Sequence, residues 1–158
     1  MTFRALAVLA AGLLIAADLP AQEKDKQSAT ENERQELDKL QGDWVMVSFE
    51  SKPEERRPPG DIEEKKLAIK GERWIAIFQD NVSNSTVRID PSKEPKALDR
   101  LIEAGPNRTR KRLCIYKLEG DTLTICSERG SDGVRRPKEF TIDQDGGAVL
   151  FVYKRATK

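Results

Sequence analysis

The chain has 158 residues, enough for one domain with a real core. Lys+Arg 28 against Asp+Glu 27 leaves it near neutral, so no global charge pulls it toward nucleic acid or anionic lipid. It has no histidine, which removes the commonest general base and the commonest transition-metal ligand together.

The opening "MTFRALAVLAAGLLIAADLPAQ" carries one positive charge at Arg4, an apolar run from Ala5 to Ala17, and then Leu-Pro-Ala. The run is shorter than the roughly 20 residues of a membrane span. Residues 1–21 therefore read as a secretory signal cut after Ala21, with an uncleaved anchor as the alternative. The expected setting is secreted or periplasmic. No cysteine follows the run, which argues against a lipoprotein anchor. No later segment is apolar and long enough to cross a bilayer, so no stable span is expected after processing.

Residues 22–36, "QEKDKQSATENERQE", have no apolar side chain larger than alanine and read as a flexible polar linker. The folded domain is expected over residues 37–158. "ELDKL" allows one helical turn, with Leu37 and Leu40 at i, i+3 against the body. Strand and turn signals follow. "WVMVSFE" from Trp44 is rich in β-formers, and "KPEERRPPGD" is a loop set by proline and glycine. "DIEEKK" reads as a helical turn over an open end. "KLAIK", Gly71 and "RWIAIF" form a hairpin, and "STVRID" is a strand stopped by Pro91. "ALDRLIEA" fits helix or strand. "GPNRTRKR" is a basic loop. "LCIYKL", "EGD" and "TLTIC" make the clearest hairpin, and "KEFTID", "QDGG" and "AVLFVYKR" the last one. About eight or nine short strands at near-regular spacing indicate an all-β, up-and-down antiparallel barrel, not βαβ units.

A small barrel needs one end filled by side chains. In "LQGDWVMVS", Gly42 permits a tight turn into the first strand and Trp44 supplies a large flat plug. The last strand returns beside the first, so Arg155 or Lys154 can lie across the indole face. Gly42, Trp44 and Arg155 together resemble the lipocalin (calycin) signature. "LQGDWVMVS", "RIDPSKEPKALD", "CIYKLEGDTLTIC", "RPKEF" and "LFVYKR" also resemble, in this order, a small secreted domain family found in many paralogous copies in planctomycete bacteria. That resemblance implies a lipocalin-like barrel outside the cytoplasm. It implies no activity. Cys114 stands where a glycine or small residue would be more usual in that family.

Cys114 and Cys126 lie on the two arms of one hairpin. A three-residue loop Glu119-Gly120-Asp121 would set them opposite each other. A two-residue loop Glu119-Gly120 would put them on opposite faces, where no disulfide forms. Hydrophobic patterning favours the second, since it gathers Tyr116, Leu118, Leu123 and Ile125 on one face. No metal, cofactor or nucleic-acid site is expected, and no motif proposes catalysis. The proline motifs "DPSKEPK" and "RPKEF" have two readings: rigid corners between strands, which proline's fixed φ favours, or a recognition surface with Lys93, Lys96 and Lys138.

The leading expectation is a secreted, non-enzymatic barrel that holds a small apolar or amphipathic molecule. Its candidate lining is Met46, Trp74, Ala76, Phe78, Tyr116, Leu118, Leu123, Ile125, Phe151 and Tyr153. Any pocket should be bordered by Trp74, Ala76 and Phe78, with Tyr116 or Tyr153 offering a hydroxyl at the rim. The rival is a filled barrel acting on an unknown protein partner through charged loops. A cavity above about 300 Å³ would favour the ligand reading.

Overall fold

A computed structural model describes residues 21–52, 65–78, 81–103, 109–129, 135–142 and 147–157, with side chains from Thr30 onward. One helix, α1 (Ala21–Leu40), precedes eight strands. These are β1 (Gly42–Glu50), β2 (Lys65–Lys70), β3 (Arg73–Phe78), β4 (Asn81–Asp90), β5 (Ala97–Glu103), β6 (Thr109–Glu119), β7 (Thr122–Glu128) and β8 (Ala148–Arg155). Each pairs antiparallel with its chain neighbours, and β8 returns to β1. The fold is a closed all-β, up-and-down barrel, as the alternating pattern implies.

Alternation then decides what is inside. Trp44, Leu67, Trp74, Val87, Leu98, Tyr116, Leu123 and Tyr153 come from all eight strands and meet in one buried cluster. A register shift between Met46 and Ser48 re-phases β1. Phe49 then pairs with Phe151, their ring centroids 5.4 Å apart.

The β6–β7 hairpin pairs Glu119 with Thr122 and Leu118 with Leu123. Its turn is therefore Gly120-Asp121, one residue later than the expected Glu119-Gly120 loop, with Gly120 at φ 58°. The shift leaves the face assignment unchanged. Cys114 pairs with Ser127 and Cys126 with Ile115, so the two thiols sit on opposite faces and no disulfide joins them.

The structure departs from the sequence expectations, or decides between them, at four places. Residues 22–36, expected as a flexible linker, lie within α1. Short-range pairs hold its surface, with Arg34 Nη1 and Gln35 Nε2 both donating to Glu31. Leu37 and Leu40 pack on the core, and Glu36 is buried. "ALDRLIE", open to helix or strand, is strand β5, because β4 and β6 flank it and satisfy its backbone. "KEFTID" is not a strand: residues 135–142 have no ladder, and β8 pairs with β7 instead. Lys65 and Lys66 begin β2, whereas the rest of "DIEEKK" lies outside the described residues. Residues 1–20, with the signal sequence, also lie outside them, as does most of "KPEERRPPGD".

Segment 135–142 instead covers the outer wall of β5–β6. Arg136 donates to the carbonyls of Leu98 and Cys114 and pairs with Asp99. Lys117 sits over the Phe140 ring at 5.6 Å. Outward-facing Ala97, Ile115 and Cys126 are accordingly buried.

The end next to α1 is closed by one assembly. Trp44 is fully buried, and its Nε1 donates to the Leu40 carbonyl at 3.0 Å. The Arg155 guanidinium stacks over the indole at 4.2 Å. The same group donates to the carbonyls of Gln41 (2.7 Å) and Lys39 (3.0 Å) and to Asp121 Oδ1 (3.0 Å). It thereby caps the C-terminal carbonyls of α1. Gly42 has φ 118°, and a Cβ there would stand 3.3 Å from Arg155 Nη1. Gln41 clamps the β2–β3 turn through two hydrogen bonds to Gly71.

Trp44→Ala should cost about 3–5 kcal/mol, as a fully buried aromatic deletion does, read by chemical denaturation. Glu36 supplies a pH-dependent contribution. Burial raises its pKa, but hydrogen bonds from Lys96 and Lys39 outweigh that and bring it below the usual 4.5. A carboxylate with a depressed folded-state pKa stabilises above its unfolded pKa, and the gain disappears as pH falls through the folded value. Glu36→Gln should therefore cost on the order of 1 kcal/mol at pH 7. Denaturation curves of the two proteins should converge in acid, below pH 4.5.

Candidate functional site

The interior narrows onto α1 and loosens toward the other end, where β2 begins and β3 ends. A cavity of about 190 Å³ lies there. Trp74, Ala76 and Phe78 form one wall from alternate positions of β3. Met46, Ile125, Phe151 and Tyr153 form the facing side. Edge-on packing of Trp74 against Tyr153 (6.4 Å, 88°) and stacking of Tyr153 with Phe151 (6.4 Å, 22°) fix the rings.

Seven of the ten residues expected to line a pocket thus do so: Met46, Trp74, Ala76, Phe78, Ile125, Phe151 and Tyr153. Phe78 is 41% exposed. Tyr116, Leu118 and Leu123 do not border the cavity. They face inward but lie nearer the β6–β7 turn, at the α1 end. Tyr116 is beside Glu36, and burial plus that carboxylate push its phenol pKa up. Tyr153 alone brings a hydroxyl to the cavity, and burial likewise raises its pKa.

Lys65, Lys66, Ile77 and Arg100 complete the lining and were not foreseen. The signal for Arg100 lies in "ALDRLIE": once the segment is a strand, Leu98, Arg100 and Ile102 share one face. The register confirms that face as inward, pairing Arg100 with Val87 of β4 and Arg112 of β6. The Arg100 guanidinium stacks on Trp74 at 4.6 Å and donates from Nη2 to Ser85 Oγ at 3.1 Å. Burial lowers its pKa from the usual value, and nearby Arg112 adds to this. A guanidinium keeps its charge even so. Lys65 Nζ lies 4.9 Å from the Phe49 ring centre and 4.3 Å from that of Phe78.

A second concavity, of about 510 Å³, lies on the outer wall. Asp90, Lys93, Glu94 and Pro95 border it on one side, and Arg136, Pro137 and Lys138 on the other. The fold thus brings the two proline motifs to one cleft. Its charges are mixed, and several are engaged: Asp99 with Lys111 and Arg136, and Asp90 with Ser92.

Among the described residues, no group of three or more metal-ligating side chains converges. No helix there is long and apolar enough to cross a membrane. Comparison with known protein families, curated proteins and solved structures finds no match.

Cys114 and Cys126 are both buried, and burial pushes the Cys114 thiol up to about 11. A thiol reagent at pH 8 should therefore label neither in the folded protein and both after unfolding, since the thiolate is the reactive form. Rapid native labelling of either would contradict this packing.

Proposed function

We propose that the chain is an exported, non-catalytic domain whose barrel takes up a small apolar or amphipathic molecule at the end remote from α1. The observation that carries this is the interior cavity walled by Trp74, Ala76, Phe78, Phe151 and Tyr153. A small residue between two aromatics leaves room at one level of the wall, and rigid rings on both sides suit a flat or short apolar body. At about 190 Å³ the cavity is below the ~300 Å³ of drug-sized sites, so the ligand is small, or only its end enters. The lack of histidine leaves the hydroxyls without the usual activating base, in keeping with binding without chemistry. The export part rests on the signal-like opening and on the resemblance to a secreted family.

A second reading, a protein-interaction module, draws on the outer cleft where "DPSKEPK" and "RPKEF" meet. One titration separates the two. Short-chain fatty acids and hydrophobic dyes are added while tryptophan emission is followed. Saturable change below about millimolar ligand, lost in Trp74→Phe, is expected, because Trp74 lines the cavity and Trp44, at the far end, does not. No saturable response from any probe would discard the ligand reading and leave the interaction module.

A further inference from the structure

Among the described residues, the inward strand positions of this barrel carry cations and no carboxylate, a feature that an apolar ligand alone does not use. The strand register sets Lys65, Arg100 and Arg112 at inward positions. Arg100 and Arg112 stand directly opposite each other on neighbouring strands, an arrangement that like charges disfavour. The carboxylates on the described strands, by contrast, occupy outward positions. Asp99, next to Arg100 in sequence, points the other way and is taken by Lys111 and Arg136. Among the described residues, the charged residues bordering the cavity are Lys65 and Arg100 at inward positions and Lys66 at an outward one, with no carboxylate.

Two hydrogen-bond donors there also lack acceptors. Arg100 Nε and Trp74 Nε1 are both shielded from solvent and have no hydrogen-bond partner among the described residues. A buried unmatched donor costs free energy that a suitable acceptor would recover. The two residues are in contact, with the guanidinium 4.6 Å over the indole, so both unmatched donors belong to one stacked pair in the cavity wall. A planar guanidinium offers a donor fork that matches a carboxylate.

We propose that the cavity selects a compact amphiphilic anion, a medium-chain or aromatic carboxylate, whose headgroup is received by Arg100 beside Trp74. This rests on the ligand-binding reading above and names its chemical class. The headgroup enters first. The apolar body then lies against Ala76, Phe78 and Phe151, toward the end where Lys65 adds a further positive charge. An entirely apolar molecule would fill the same space and leave both donors unmatched.

Calorimetric titration of the full domain with octanoate, 1-octanol and octyl sulfate tests the proposal. Octanoate should bind at least about tenfold more tightly than octanol, the size of one charge-assisted hydrogen-bond set. Arg100→Gln should bring that ratio near one. Arg100→Lys keeps the charge without the fork and should retain only part of the preference. Circular dichroism and thermal melting establish that each variant folds, and the wild-type comparison stands without any variant. Equal affinity for octanoate and octanol would overturn the proposal and spare the ligand-binding reading. A preference that survives in Arg100→Gln would overturn the role of Arg100, leaving it a structural cation stacked on Trp74. Tighter binding of octyl sulfate than of octanoate would overturn the carboxylate assignment. Failure of all three to bind would remove the ligand-binding reading itself.

Discussion

Everything else in the molecule depends on the stack of Arg155 on Trp44. The last strand must reach the first for the barrel to close, and this contact ties the end of one to the beginning of the other. The guanidinium also takes the carbonyls of Lys39 and Gln41, so α1 cannot leave without exposing both helix end and indole. Gly42 is what lets the two groups approach, since a side chain there would press on the guanidinium in a backbone conformation that L-residues rarely adopt. One cation thus serves as strand closure, helix cap and aromatic partner.

The two ends of the barrel obey different rules. At the α1 end, inward residues are large and apolar, and the buried charge, Glu36, is matched by two lysines. At the other end, aromatics surround space, and the charged residues that line it among the described ones are cations. Natural sequences tend to break local consistency where they act, not where they are held together. Arg100 is such a break: a charged residue on a strand face whose neighbours Leu98 and Val87 are core. It lies at the same end as the cavity.

Much of the architecture is legible in the amino-acid order because a barrel wall is a period-2 object. β-branched and aromatic residues alternate through "WVMVS", "RWIAIF", "LCIYKL" and "TLTIC", and Gly-x-Trp with a terminal arginine marks where the ring joins. What escapes is whatever alternation does not encode. α1 is polar on most of its surface and docks by Leu37, Leu40 and a buried Glu36, too few to show as an apolar stripe. "KEFTID" has strand composition, but both edges of β8 are already taken by β7 and β1, so that segment packs flat on the outside. Arg100 escaped for a third reason. Its strand was ambiguous with helix, and only a settled register tells which side of a wall a charge is on. The apolar part of the site was therefore readable and its polar part was not.

The cyclic strand order carries a consequence for encounters with other molecules. An open sheet presents a row of unpaired amides and carbonyls along its margin, and foreign strands can add to it whatever their side chains. Here β1 and β8 pair with each other, so every described strand has a neighbour on both sides. Ring closure thereby removes the long open edge that strand addition, promiscuous or fibre-forming, would need. A surface without such an edge offers other molecules mainly side chains, and side chains change one residue at a time.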